Sequence, residues 1–217
     1  MQQNKKIVWP NVMAPMAAVY PHVRNIHDDA VRDDYYWMID YFKKGEKAQE
    51  VIDYLEKEND YTGLMLQDTV DLQEDLFHEL KSRIKEKDES VPYFKNGYYY
   101  YSRTEEGKQY FKFCRKKGTL EGEEEVLLDV DQLAQGHAYY TAKGFSVSPD
   151  NRLLAFSVDT VSRREYTIFI KNIETGEIYP DQIKNTEGAA IWGNDNLTLF
   201  YTAKNSVTLL SERIMRH

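Results

Sequence analysis

The chain has 217 residues, of which 28 are basic and 36 acidic, so its formal net charge is −8. A negative surface argues against nucleic-acid binding, which needs clustered Lys and Arg, and it fits either basic ligands or simple solubility. No segment reaches the roughly 18 apolar residues of a membrane helix. A single cysteine, Cys114, excludes an intrachain disulfide and a Cys-based metal site.

The first 34 residues show no sustained periodicity and predict an irregular, extended arm. Pro10, Pro15 and Pro21 interrupt the apolar stretch that follows Lys5 and Lys6. A signal peptide needs an uninterrupted apolar helix, so we expect a cytoplasmic protein. Within the arm, the segment 27–29 (His-Asp-Asp) is open to two interpretations, a cation site or a solvated stretch of chain.

Two helices are predicted over residues 46–87, with Gly63 as the break between them. Apolar residues in this region recur at spacings of three and four, as expected for amphipathic helices. Two helices cannot supply a full core, so the apolar stripe of the second helix needs a partner surface. Its members are Leu72, Leu76, Leu80 and Ile84, widened by Phe77.

From residue 88 the period changes to two, which predicts strands. Asn96-Gly97 is a strong hairpin signal, and residues 98–101, four tyrosines, alternate across the two faces of a strand. The acidic run 123–125 is expected to form a solvated loop rather than a metal site. Cys114 lies in a strand-like run, where it is either a small buried hydrophobe or a catalytic thiol.

A hairpin pattern occurs twice in the C-terminal half. Asp150-Asn151 is followed 45 positions later by Asp195-Asn196, and alternating apolar residues follow both turns. Asp and Asn suit such turns because their side chains hydrogen-bond the local backbone. Two further strands lie between the copies, so the repeating unit has about four strands. A four-stranded unit with a period of roughly 40–50 residues is typical of β-propeller blades.

The predicted fold is α+β by content but mainly β. Residues 1–90 supply the arm and two helices, and residues 91–217 supply the first two blades and the start of a third of a seven-bladed propeller. Seven blades of this length would need roughly 315 residues. We therefore expect an incomplete ring whose sheet faces and edges are open.

No catalytic, cofactor-binding or metal-binding residue is assigned from the sequence. The nucleophile motif G-x-S-x-G is absent, and the nearest string, residues 144–148, lacks the second glycine, so its serines are taken as structural. None of the histidines has the spacing of a metal motif. The five histidines are His22, His27, His78, His137 and His217.

Two further groups each allow two interpretations. Trp37 with Tyr35 and Tyr36 forms either an aromatic ligand box or an anchor for docking the arm on another domain. Arg163-Arg164 either grips a carboxylate or forms a strand-end pair that meets a neighbouring blade or domain.

Several motifs together resemble the prolyl oligopeptidase family of serine peptidases, and in particular its oligopeptidase B (protease II) branch. The most specific is Asp33-Asp34-Tyr35-Tyr36-Trp37, although Met38-Ile39 replaces the Leu-Arg that usually follows. The resemblance covers residues 14–217, and the motifs occur in the family's order. The other matching stretches are YLEKENDYT (54–62), FSVSPDNRLLAFSVD (145–159), SRREYTIFIKNIETGE (162–177) and VTLLSERIMRH (207–217).

The resemblance implies a C-terminal α/β-hydrolase domain with a Ser-Asp-His triad, covered by a seven-bladed propeller that admits only short peptides. It also implies that the arm and helices pack on the hydrolase domain and that cleavage follows Lys or Arg. We therefore expect this chain to be the N-terminal portion of such an enzyme, without the catalytic domain and inactive alone, with short basic peptides and the missing hydrolase domain as partners. The alternative is a non-catalytic binding module that acts through a partner or an oligomer.

Overall fold

The computed structural model describes residues 8–217, which divide between Ile84 and Lys85 into two compact units. The first unit is largely helical, and the second consists mainly of antiparallel strands. None of the helices in the described residues is long and apolar enough to cross a membrane.

The arm contains a β-hairpin that the sequence did not predict. Strand β1 (Val23–Ile26) pairs antiparallel with β2 (Asp29–Arg32). His27 and Asp28 link them with φ values of 51° and 64°. Positive φ at both central residues gives the turn whose twist matches the flanking strands. The prediction of an irregular arm is wrong here because His-Asp lacks the glycine that usually marks such a turn.

The predicted break between the long helices at Gly63 is wrong. The first of the two helices continues through Gly63, because an exposed glycine inside a helix costs only about 1 kcal/mol. A helix ends only where the backbone conformation changes. The change comes at a short 3-10 segment, Gln67–Thr69. The helices are α1 (Asp40–Lys43, after a 3-10 turn at Tyr36–Ile39), α2 (Ala48–Leu66) and α3 (Val70–Ser82).

The first unit has very little core. Of its described residues, only Trp37 and Val51 are buried hydrophobics. The stripe predicted to need a partner surface faces solvent, with the side chains of Leu72, Leu76 and Leu80 46–60% exposed. Phe77 also lies exposed beside them.

The second unit begins with a four-stranded antiparallel meander. A short helix, α4 (Val130–Leu133), follows it, and Asp129 caps this helix by accepting a hydrogen bond from the backbone N–H of Gln132. The strands are β3 (Tyr93–Lys95), β4 (Tyr98–Arg103), β5 (Lys112–Lys117) and β6 (Glu124–Asp129), each paired with the next.

Six further strands follow in sequential antiparallel order, and the fourth of them is shared. Strand β10 has 15 residues; its first part, to Thr186, pairs with β9, and residues 190–192 pair with β11. It thus ends one four-stranded sheet and opens the next, which confirms two blades and the start of a third. The strands are β7 (Thr141–Val147), β8 (Leu153–Asp159), β9 (Tyr166–Asn172), β10 (Ile178–Trp192), β11 (Leu199–Lys204) and β12 (Ser211–Arg216).

The sheets stack through the two faces of β8. Leu154 and Phe156 face the first sheet and pack in one cluster with Tyr100. Ala155, on the opposite face, packs in a second cluster with Trp192 from the third sheet. Successive side chains of a strand point to opposite faces, so a strand covered on both sides reads as a continuous apolar run. This explains why the FSVSPDNRLLAFSVD stretch shows little polar alternation.

Candidate functional site

The hairpin turns of the three sheets meet at one end of the strands and form a continuous row. Asn96, Asn151 and Asn196 all have positive φ, at 48°, 65° and 63°, a conformation that Asn tolerates. The side-chain amide of Asn151 donates to the Asn96 carbonyl oxygen (3.2 Å), and the backbone N–H of Asp150 donates to Asn196 Oδ1 (2.9 Å). Asn151 and Asn196 are 45 positions apart and Asn96 lies 55 positions before Asn151, yet each turn bonds the next. We refer to these three turns as the turn row.

The aspartates of the turn row are held by local donors. Asp150 Oδ1 accepts a hydrogen bond from Ser148 Oγ (2.6 Å), and this bond is the main cause that holds the pKa of Asp150 below its ordinary value. Thr198 donates its backbone N–H (2.9 Å) and its hydroxyl (2.6 Å) to Asp195, lowering the pKa of that carboxyl to about 2. Ser148 is buried and serves the turn, as predicted for a structural serine.

Arg115 of β5 joins the first two sheets beside this row. Its side chain is buried. Arginines are rarely buried unless they are paired, and Arg115 has such a partner. It binds the Glu125 carboxylate through Nε and Nη2 (2.8 and 2.7 Å), and its Nη1 donates to the Asn151 carbonyl oxygen (3.0 Å). The guanidinium lies 4.0 Å from the centre of the Tyr98 ring, a cation–π arrangement.

A cavity of about 630 Å³ opens above Arg115, between the first and second sheets. Asn96 and Asn151 of the turn row form part of its wall, and the turn between β9 and β10, with Glu174, forms another part. Lys117 and Arg152 also line it. A volume of this size is within the range of small-molecule and peptide sites. The cavity was not predicted, because Arg115 lies in a strand that also carries Lys112, Lys116 and Lys117, and nothing in this local sequence marks it as the buried one.

The acidic run 123–125 is only in part the solvated loop that was predicted, because Glu123 is exposed before the strand but the next two residues are not in the loop. Glu124 and Glu125 begin strand β6, where their partners are arginines of neighbouring strands. Arg103 donates to Glu124 (2.8 Å), and Tyr101 donates its hydroxyl to the same carboxylate. The bond from Arg103 is the main cause that lowers the pKa of Glu124. Sequence alone could not pair Glu124 with these partners, because they lie 21 and 23 positions away.

Cys114 lies fully buried beside this group. Burial, with a smaller contribution from the negative charge of Glu124, raises the pKa of the thiol to about 12. A thiol in this state is protonated at neutral pH and is a poor nucleophile. Of the two interpretations left open by the sequence, the buried hydrophobe is confirmed.

Arg163 and Arg164 lie on an exposed loop between β8 and β9. Buried Asp159 fixes the loop by accepting backbone N–H groups, including that of Arg164 (2.7 Å). Lys204, from the third sheet, donates to the carbonyl oxygen of Arg164 (2.7 Å). The pair thus sits at a strand end that meets the neighbouring sheet through its backbone, while both guanidinium groups face solvent.

The aromatic block at residues 35–37 makes contacts with other residues of the arm. Trp37 is 6% exposed, packs edge-to-face against Tyr20, and donates its indole N–H to the Ala18 carbonyl oxygen (2.9 Å). Tyr36 stacks on His22 with ring centres 4.2 Å apart. Trp37 therefore anchors the arm to its own unit. Its ring forms neither an open ligand box nor a surface that is free to dock on another domain.

The histidines lie at separate places in the chain. His27 occupies the arm turn, His78 lies exposed on α3, and His137 has its ring 5.3 Å from that of Tyr140. His217 contacts Asp181 (2.6 Å). Across residues 8–217, no three His, Cys, Asp or Glu side chains are grouped as metal ligands.

Comparison with known proteins extends these observations. A family model described as the prolyl oligopeptidase N-terminal beta-propeller domain matches residues 15–217. Dipeptidyl aminopeptidase BI of Pseudoxanthomonas mexicana is 40% identical over 220 residues, which cover 94% of this chain and 30% of the relative. Protease 2 of Moraxella lacunata is 31% identical, over 87% of this chain and 28% of its own length.

Solved structures agree with this relationship. Oligopeptidase B from Leishmania major superposes with a TM-score of 0.84 at 32% identity, over 94% of this chain and 31% of its own. Oligopeptidase B from Trypanosoma brucei, in a closed form with covalently bound antipain, gives 0.81 at 27% identity, over 94% and 30%. The chain thus spans about 30% of the length of the relatives it matches.

The family match runs from the arm to the last strand, and the stacked four-stranded sheets are those of a propeller. This chain belongs to the prolyl oligopeptidase family, and it corresponds to the N-terminal β-propeller region of peptidases such as oligopeptidase B.

Proposed function

We propose that the chain forms the propeller-side part of a serine-type oligopeptidase that hydrolyses short peptides after Lys or Arg. In this proposal residues 91–217 supply blades that limit access to short substrates, and residues 1–90 pack on an α/β-hydrolase domain that carries the nucleophile. The chain itself supplies no catalytic residue and is inactive alone. The setting is cytoplasmic.

The family match over residues 15–217 supports the peptidase part of this proposal, and the exposed stripe of α3 is the observation that carries the docking part. Leu72, Leu76 and Leu80 lie on one face of a helix whose unit has almost no core of its own. Fully burying such a side chain contributes roughly 1.5–3 kcal/mol. Covering the exposed part of the stripe would therefore contribute about 2–5 kcal/mol towards docking.

The docking step is tested by mixing the chain with the separately produced catalytic domain of the 40% identical relative. We expect a 1:1 complex in analytical ultracentrifugation. Leu76→Asp should abolish it, because a buried unpaired carboxylate is costly, whereas the control Asp75→Asn on the same helix should leave it unchanged. Equal association of both variants would contradict docking through the stripe.

Activity is then measured with the complex and with the chain alone. An N-terminally blocked peptide p-nitroanilide ending in Arg should be hydrolysed by the complex and not by the chain, and its Leu analogue should be a poor substrate. The second candidate is removal of dipeptides from a free N-terminus, favoured by the name of the 40% identical relative. Hydrolysis of an unblocked dipeptide anilide, with the blocked peptides left intact, would support that activity instead.

The non-catalytic binding module is the remaining alternative. It would be supported if the chain failed to associate with the catalytic domain and instead formed a defined oligomer that covers its open sheet faces. The same ultracentrifugation experiment distinguishes the two, because it reports the mass of the chain with and without the added domain.

A further inference from the structure

The cavity above Arg115 has a fixed floor whose charge is cancelled. The guanidinium is clamped by two bonds to Glu125 and one to the Asn151 carbonyl oxygen, and it is stacked on Tyr98. Such a paired and buried group is held in one geometry and adds little net charge. The electrostatic preference of the cavity is therefore set by the other charged groups along its wall.

Three of those groups keep their charge available. Lys117, Arg152 and Glu174 are exposed and, within the described part of the chain, form no ion pair. Asp150 is also ionised, but its Oδ1 accepts a hydrogen bond from Ser148. Arg152 contributes to the field that lowers the pKa of Asp150, but the hydroxyl is the larger cause. The cavity wall thus carries two cations, Lys117 and Arg152, together with Glu174, an anion whose carboxylate has no ion pair in the described residues, and Asp150, an anion whose carboxylate is hydrogen-bonded within its own turn.

We propose that this cavity binds the C-terminal end of a short peptide whose last residue is Lys or Arg. The two cations, Lys117 and Arg152, hold the α-carboxylate, and Glu174 holds the basic side chain. Charge-assisted bonds of both signs to one terminal residue match the groups that remain free. The choice of a basic residue rests on the proposed function, because cleavage after Lys or Arg leaves peptides with this end.

The cavity lies within the propeller unit. It lies at the turn-row end of the strands, lined by Asn96 and Asn151. The chain joins the first sheet at the other end of those strands, where Glu89 bridges Arg103. None of the described residues that line the cavity is a serine, threonine or cysteine, so a peptide held here would be bound non-covalently, with no bond made or broken.

The test is isothermal titration of the 217-residue chain with Ala-Ala-Arg, its C-terminal amide and Ala-Ala-Leu. We expect Ala-Ala-Arg to bind about tenfold more tightly than the amide, which lacks the carboxylate charge. The variant Lys117→Ala with Arg152→Ala should remove this difference. Glu174→Gln should remove the preference for Arg over Leu while retaining the preference for a free carboxylate.

Lys184→Ala, an exposed lysine on β10 outside the cavity, is the matched control and should leave all three affinities unchanged. Amide NMR spectra establish that each variant keeps the parent fold. Equal binding of the acid and the amide, unchanged binding by the double variant, or no binding at millimolar peptide would overturn the proposal. The titration measures binding without catalysis, so the two proposals can fail separately. Peptide binding without docking or hydrolysis would refute the proposed function alone. Docking and hydrolysis without peptide binding would refute the peptide site alone.

Discussion

Asp195 shows how single side chains define the turns of this fold. Its carboxylate accepts hydrogen bonds from the backbone N–H groups of Leu197 and Thr198 and from the Thr198 hydroxyl, and the latter residue contributes most to lowering its pKa to about 2. Because the folded pKa lies below the ordinary 3.8, the ionised carboxylate stabilises the turn above that value. This stabilisation is lost as the pH falls towards 2.

Asp195→Ala should therefore destabilise the propeller unit at neutral pH, and its deficit relative to the parent should shrink between pH 3.8 and 2. Urea unfolding at stepped pH, followed by circular dichroism, measures both curves. Glu106→Ala, in the exposed turn between β4 and β5, should follow the parent at every pH. A deficit of constant size down to pH 2 would show that the carboxylate charge contributes nothing.

At the scale of strands, the crossing of β7 and β10 depends on the absence of a side chain. A Cβ placed on Gly144 would lie 1.8 Å from the carbonyl oxygen of Gly188, and the φ of Gly144 is +69°. Gly136 has a φ of +83° but open space around the same position. The two glycines thus separate the cost of a steric overlap from the cost of a left-handed backbone.

Gly136→Ala should lower the free energy of unfolding by about 1–2 kcal/mol, the cost of positive φ in a residue with a Cβ. Gly144→Ala should cost about 3 kcal/mol or more, because overpacking against backbone atoms adds to the same strain. Chemical denaturation of both variants gives the difference. Equal destabilisation would mean that β7 and β10 separate freely at this crossing.

The elements that the sequence predicted are those set by local chemistry. Asn96-Gly97 and the two Asp-Asn turns require only their own backbone and side chains, and period-two alternation marks the strands between them. The elements that it missed depend on distant partners or weak signals. Glu125 was predicted to lie in a charged loop because its partner, Arg115, is on another strand. Gly63 was predicted to break the helix because nothing in the local sequence shows that the helix continues to Leu66.

The candidate site shows the same limit. The turns that line the cavity were predictable as turns, but their meeting was not, because it depends on how one sheet stacks on the next. Arg115 bonds Asn151, a residue 36 positions away, and no local pattern links the two. The repeat period indicated that similar turns lie at the same end of successive sheets, and only the structure showed a cavity between them.

At the scale of the whole molecule, the two units differ sharply in how much they bury. The propeller unit has continuous clusters on both faces of β8, whereas the described part of the first unit buries only Trp37 and Val51. Local stability follows buried apolar contacts. The amides of α2 and α3 should therefore exchange with deuterium much faster than those of β8 and β9 in the isolated chain.

Adding the catalytic domain of the 40% identical relative should slow exchange in α3 selectively, because covering its apolar stripe couples the opening of that helix to dissociation. Hydrogen–deuterium exchange read by mass spectrometry resolves both regions in one experiment, and the strands β8 and β9 serve as the internal reference, with exchange unchanged by the addition. Protection of α3 in the isolated chain equal to that of β8 would contradict this view, because the helix would then owe its stability to contacts within the chain. The exposed leucines of α3 would in that case need no partner, and the argument for docking through them would fail.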